Sequence, residues 1–184
     1  MLTMTASAQQ GHGVFISYRR SDAAFPAGWL YEQLTNHFGN EHVFKDIDSI
    51  RPGDDFVEVI TNALRSCYTV LVLIGPAWLS PMDDSSRRSI DAPDDFVRTE
   101  IEIALKNSGV RIIPVLVLGA KMPGPNDLPV SIAALARRNA IEITPNHFSS
   151  DLRRLIDSIE RVRREAEEQA RRLRAGQPSS DADP

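Results

Sequence analysis

The segment YTVLVLI at 68–74 limits the possible folds of this chain most strongly, because all but one of its residues are apolar. A strand with one face in water alternates apolar and polar residues, whereas a strand covered on both faces has an unbroken apolar run. Gly75 and Pro76 end the run. A second apolar run, VRIIPVLV, follows at 110–117. Two such strands indicate a parallel sheet enclosed by helices.

Strand and helix patterns alternate along the rest of the chain. Shorter strands are predicted at 13–18, 42–46 and 140–143. The segment RRSDAAFPAG after the first strand is predicted to be a loop. Helices are predicted at 27–38, from Asp54 or Asp55 onward, at 94–107, at 130–138 and from Asp151 onward. We therefore expect an α/β domain with a five-stranded parallel sheet and helices on both faces.

The predicted domain covers residues 13–162. Residues 1–12 are polar and unpatterned, so a disordered leader is predicted there. Residues 163–184 are predicted to form a charged helical extension and a disordered tail, because few of them are apolar. The longest apolar stretches are shorter than the roughly 20 residues that a membrane span requires, and the N-terminus resembles no secretory signal. We expect a cytoplasmic protein without a membrane partner.

Charge and cysteine content exclude further classes of protein. The chain has a net charge of −4, whereas nucleic-acid-binding domains are rich in Lys and Arg. No nucleic-acid partner is therefore expected. One cysteine and four scattered histidines do not supply the ligands of a structural zinc site, so no metal is predicted. The cysteine, Cys67, is predicted to be a small buried residue and not a nucleophile.

Ligands of doubly wound α/β domains bind beyond the carboxyl ends of the strands. The loops at that edge contain none of the motifs GxGxxG, GxxxxGK[ST] or GxSxG, which argues against a Rossmann dinucleotide site, a P-loop and a hydrolase elbow. A phospho-receiver domain requires acidic residues after the first and third strands. Arg19-Arg20 and Gly75-Pro76 occupy those positions.

Three segments together carry a family resemblance: VFISYRRSD (14–22), DIDSIRPGDDF (46–56) and DDFVRTEIEIAL (94–105). In this order and spacing they resemble a Toll/interleukin-1 receptor (TIR) domain, in particular the bacterial type and the NAD-cleaving TIR enzymes. The resemblance implies a flavodoxin-like fold. It also implies association with other TIR domains, as a homo-oligomer or filament, through a BB loop at Ile50, Arg51, Pro52 and Gly53.

The resemblance further implies cleavage of NAD at the nicotinamide–ribose bond, with NAD as substrate and no cofactor. The enzymes of the family have an aromatic residue followed four positions later by a glutamate, which Phe96 and Glu100 match. At this spacing the two side chains share one helix face. Nicotinamide leaves as a neutral molecule, so a carboxylate that stabilises the oxocarbenium charge suffices without a general acid. The product, ADP-ribose or a cyclic isomer, stays open.

Other polar residues are placed near the expected cleft. Substrate contacts are assigned to Arg19, Arg20 and Asp22 after the first strand, and to Asp46 after the second. Arg19 and Arg20 either face water, as loop arginines commonly do, or at least one of them has a phosphate-facing or loop-ordering role. Asp46 is alternatively a turn residue. Trp78 either packs under the cleft or lines it. Ser17 and Tyr18 are predicted to be strand and packing residues.

The loop at 80–93 and the helix start after it contain an acidic cluster, which is predicted to be solvated and neutralised by Arg87 and Arg88. Its members are Asp83, Asp84, Asp91, Asp94 and Asp95. These aspartates do not have the spacing of an EF-hand.

We expect an enzyme of bacterial immune or stress signalling. The alternatives are a non-catalytic TIR interaction module and a host-mimicking effector.

Overall fold

The computed structural model describes residues 12–45, 53, 55–80 and 87–175. Within them five parallel strands form one sheet in the order β2-β1-β3-β4-β5. This is the flavodoxin-like strand order, so the predicted fold class is confirmed. The strands are β1 (Gly13–Ser17), β2 (Val43–Lys45), β3 (Cys67–Ile74), β4 (Arg111–Val117) and β5 (Ile141–Ile143).

Four α-helices cover the sheet: α1 (Arg20–Phe38), α2 (Phe56–Arg65), α3 (Phe96–Lys106) and α4 (Phe148–Ala175). Residues of α1 and α4 pack on one face, and residues of α2, α3 and the 3₁₀ segment Val130–Arg137 pack on the other. The side chains of β3 alternate between the two cores, with Leu71 and Leu73 in the first and Val70 and Val72 in the second. This alternation explains why β3 has no polar face.

The predicted loop RRSDAAFPAG is wrong, because α1 begins at Arg20. The carbonyl of Arg19 accepts hydrogen bonds from the backbone N–H groups of Asp22 and Ala23, at 3.0 and 2.8 Å, which closes a first turn. The backbone then leaves helical geometry at Ala23 (φ −131°, ψ 24°). Pro26 stands in the first turn after this kink, where a helix tolerates the missing N–H.

The structure corrects two other helix predictions and refines a third. The segment predicted as a helix at 130–138 is a 3₁₀ segment over Val130–Arg137. The last helix begins at Phe148 and not at Asp151. Asp55 is the N-cap of α2, since its carboxylate accepts hydrogen bonds from the N–H groups of Val57 and Glu58.

Helix α4 continues without interruption past the predicted domain boundary at 162. Leu155 and Ile159 are fully buried, Val162 and Ala166 pack partly against the core, and Leu173 is 67% exposed. The boundary itself stays a prediction. Most of the predicted leader and the tail after Ala175 lie outside the described residues. No helix in the described part is long and apolar enough to cross a membrane.

Cys67 is buried at the start of β3, and its thiol donates a hydrogen bond to the carbonyl of Ala63. Burial raises the pKa of this thiol to about 12, so almost no thiolate forms at neutral pH. A disulfide reagent such as DTNB is therefore expected to leave the folded protein unlabelled at pH 8 and to label one thiol per chain in guanidinium chloride. Rapid labelling of the folded protein would contradict this placement.

Candidate functional site

A carboxylate lies at the carboxyl end of β1. Ser17, the last residue of β1, is 1% exposed, and its hydroxyl donates a hydrogen bond of 2.5 Å to Oε2 of Glu100. Glu100 lies in the second turn of α3 and is partly exposed. β1 and β3 are neighbours in the sheet, while the helices that follow them pack on opposite faces. This is the topological switch point at which doubly wound sheets bind ligands.

An ion pair fixes the start of α3 beside this carboxylate. The guanidinium of Arg19 donates to both carboxylate oxygens of Asp95, at 2.9 and 3.1 Å, and the two side chains are only 10% and 7% exposed. Asp95 is also the N-cap of α3 and accepts from the backbone N–H of Arg98. The end of β1 and the segment after it therefore hold α3 at two points, through Ser17 and through Arg19.

A second carboxylate joins α1 to the end of β3. The side chain of Asp22 accepts hydrogen bonds from the backbone N–H groups of Gly75 and Ala77, at 2.9 and 2.8 Å. A Cβ at position 75 would lie 2.6 Å from the Asp22 oxygens. Only glycine permits so close an approach of carboxylate and backbone. In this conformation Asp22 orders the backbone of the cleft.

The two large aromatic residues near the site have different environments. Phe96 is the first residue of α3 and is 61% exposed, one turn from Glu100 on the same helix face. Trp78 is 1% exposed, and its carbonyl accepts a hydrogen bond from Nε of Arg19. This burial favours packing under the cleft over lining it. Phe96 presents the accessible aromatic surface.

The remaining candidate residues lie at exposed positions or outside the described residues. Arg20 is exposed at the start of α1, and Gly53 is exposed with φ +100°. Asp46, Ile50, Arg51 and Pro52 lie outside the described residues. The substrate and interface roles assigned to these residues, and to Arg19, Asp22 and Trp78, stay predictions.

Two contacts at the site were not predicted from the sequence. Ser17 was assigned to packing alone, but its hydroxyl is bonded to Glu100. Asp95 was grouped with the solvated acidic residues, but it is buried against Arg19. The available signal for Ser17 was a single polar residue at the carboxyl end of an otherwise apolar strand.

The described part of the acidic segment before α3 is held by an ion pair and a hydrogen bond of Arg88. Arg88 pairs with Asp91 at 2.8 Å and also donates to the carbonyl of Asp127, and the hydrogen bond from Arg88 lowers the pKa of Asp91. This pairing agrees with the predicted neutralisation by arginine. Among the described residues no group of three or more His, Cys, Asp or Glu side chains could hold a metal ion.

Glu102 lies two positions from Glu100 but has a different environment. Its carboxylate accepts from Nε of Arg98 at 2.7 Å. Hydrogen bonds from Ser131 and Arg98 lower its pKa. Glu102 therefore has a structural role, because it links α3 to the 3₁₀ segment Val130–Arg137 through Ser131.

Comparisons with known proteins agree with this architecture. A family model described as TIR domain matches residues 14–156. Among solved structures, the fold is similar to a TIR domain in the activated Roq1 resistosome that directly recognises the pathogen effector XopQ. The TM-score is 0.56 at 14% identity, over 80% of this chain and 99% of that chain. A search of curated proteins finds no match.

Proposed function

The chain belongs to the TIR domain family, and on this premise we propose that it is an NAD nucleosidase with Glu100 as its catalytic residue. The observation that carries the proposal is the hydrogen bond from the buried Ser17 hydroxyl to Glu100 at the switch point of the sheet. A carboxylate held there, one turn from the exposed ring of Phe96, is suited to a ribose bound beside a flat nicotinamide.

The proposed reaction needs few groups. The bond between C1′ of the ribose and the pyridinium nitrogen breaks, and its electron pair stays on nitrogen, so nicotinamide leaves neutral. The positive charge that develops on the ribose is stabilised by the carboxylate of Glu100. Water then adds to C1′ and loses a proton, which gives ADP-ribose. Attack by a hydroxyl or an adenine nitrogen of the same molecule, with loss of a proton, gives a cyclic isomer.

We propose that TIR–TIR association activates this reaction and that the chain acts in bacterial immune or stress signalling. The support is membership of the family and a fold shared with a TIR domain of a resistosome. A head-to-tail contact between identical chains is heterologous and can extend into a filament. Activity that rises with protein concentration is the expected sign of such an assembly.

The test is incubation of the purified chain with NAD, with nicotinamide measured by liquid chromatography. Stoichiometric release of nicotinamide supports the nucleosidase. The non-catalytic interaction module predicts unchanged NAD even where light scattering shows that the chains have associated.

Ser17→Ala is expected to lower kcat about tenfold or more and to change KM for NAD little. A hydrogen bond to a charged group contributes about 1.5–3 kcal/mol, and this one orients Glu100 without reaching the substrate. Steady-state kinetics measure the effect. Thr69→Val is the matched control, because Thr69 Oγ1 on β3 is a buried hydroxyl with no partner in the part of the chain described. Equal losses of kcat in both variants would contradict a positioning role for Ser17.

A further inference from the structure

A groove of about 450 Å³ lies at the edge of the sheet opposite Glu100. It forms where β4 and β5 begin and where α4 passes them. Arg111 is the first residue of β4, Asn139 lies just before β5, and Ser158 and Arg161 come from α4. Because all five strands are parallel, this amino edge is remote from the carboxyl edge that holds the proposed catalytic site.

Arginine dominates the charged lining of this groove. Its basic residues are Arg111, Arg137, Arg138 and Arg161, and its one acidic residue is Glu165. Glu165 pairs with Arg111 at 3.0 Å. Within the described residues, the guanidinium groups of Arg137, Arg138 and Arg161 have no hydrogen bond or ion pair, and all three side chains are exposed.

The cluster of arginines around this groove is positively charged, although the chain as a whole has a net charge of −4. Unpaired guanidinium groups around one groove repel each other, and an anion bound between them removes that repulsion. Arginine presents a planar fork of N–H donors that matches the oxygens of a phosphate in a bidentate manner. The groove thus has the charge and the kind of donor groups that a phosphorylated ligand requires.

We propose that this groove binds a small ligand through its di- or triphosphate group. Its volume lies within the range of small-molecule sites, about 300–1,000 Å³. No aromatic side chain is among the described residues that line it, so a base has no ring to stack on. Recognition therefore depends on the phosphates, with the Asn139 amide as a further hydrogen-bond donor, whereas the Ser158 hydroxyl already donates to the carbonyl of Arg154. The site is separate from the proposed catalytic carboxylate.

Isothermal titration calorimetry of the full chain with inorganic tripolyphosphate, and separately with ATP, tests the proposal. Saturable binding of one ligand per chain is expected, and it weakens as NaCl is added because the charges are exposed. Similar affinity for the two probes is expected, because the lining has no ring on which a base could stack. Much tighter binding of ATP than of tripolyphosphate would contradict recognition through the phosphates. The triple variant Arg137→Gln, Arg138→Gln, Arg161→Gln is expected to raise Kd at least about tenfold.

A control triple variant removes the same charge elsewhere: Arg153→Gln, Arg171→Gln, Arg172→Gln. These arginines are exposed and do not line the groove. The control is expected to keep Kd within about twofold, since exposed charges at a distance are screened. Equal weakening in both triple variants, or no saturable binding to the parent chain, would overturn the proposal. So would binding of a single-stranded oligonucleotide in the absence of tripolyphosphate binding. Each readout is a binding constant, so the result is independent of NAD cleavage.

Discussion

Glu100→Gln is expected to lower kcat for NAD cleavage by about 10²–10³-fold, with KM nearly unchanged. The substitution keeps the size of the side chain and its ability to accept a hydrogen bond from Ser17. It removes the negative charge that opposes the developing charge on the ribose, and loss of one preorganised electrostatic group has effects of about this size. Because the charge develops only as the bond breaks, the loss falls on kcat.

Glu102→Gln is the matched control for this result. Glu102 lies on the same helix but is bonded to Arg98 and lies beside Ser131, away from the cleft. Its replacement is expected to lower stability modestly and to leave kcat within about twofold, because an ion pair within one helix contributes little. A Glu100→Gln enzyme that retains full activity would show that the assigned carboxylate is not catalytic.

Asp95→Ala is expected to destabilise the domain by about 3–5 kcal/mol, the cost of leaving one partner of a buried ion pair without its counter-charge. The Arg19 and Asp95 side chains are 10% and 7% exposed, so solvent screens the pair little. The variant also removes the N-cap of α3. Since domains of this kind are stable by only about 5–15 kcal/mol, urea denaturation should show a large drop in midpoint.

Two further variants give this prediction a control. Asp94→Ala, at the exposed neighbouring position, is expected to change stability by no more than about 0.5 kcal/mol. The double variant Arg19→Met, Asp95→Leu removes both charges and is expected to recover part of the stability lost in Asp95→Ala. An Asp95→Ala midpoint equal to that of the parent chain would show that the pair does not hold α3.

The sheet could be predicted from the sequence because its signal is local. The apolar run of β3 indicates burial on both faces, and the helices between the strands specify parallel pairing. The start of α1 could not be predicted, because Pro26 and the polar residues before it are typical of a loop. That segment is helical since Arg19 closes its first turn and Asp22 is bonded to the end of β3, contacts that depend on the assembled sheet.

The candidate site shows the same difference between contacts that are local in the sequence and contacts between distant positions. Phe96 and Glu100 are four residues apart, so helical spacing and the family resemblance were enough to propose them. Ser17 and Glu100 are 83 positions apart, and Arg19 and Asp95 are 76 apart. Their pairing is set by the sheet order and by where α3 begins, and a pattern in one sequence does not report it.

Catalysis by Glu100 in an associated chain is tested most directly by product analysis after incubation of the purified chain with NAD at a series of protein concentrations. Chromatography would measure NAD, nicotinamide, ADP-ribose and its cyclic isomers in each sample. An NAD nucleosidase that association activates releases nicotinamide equal to the NAD lost, at a rate per chain that rises with protein concentration and is nearly lost in Glu100→Gln. Unchanged NAD at every concentration, in samples where self-association is detected, would contradict it.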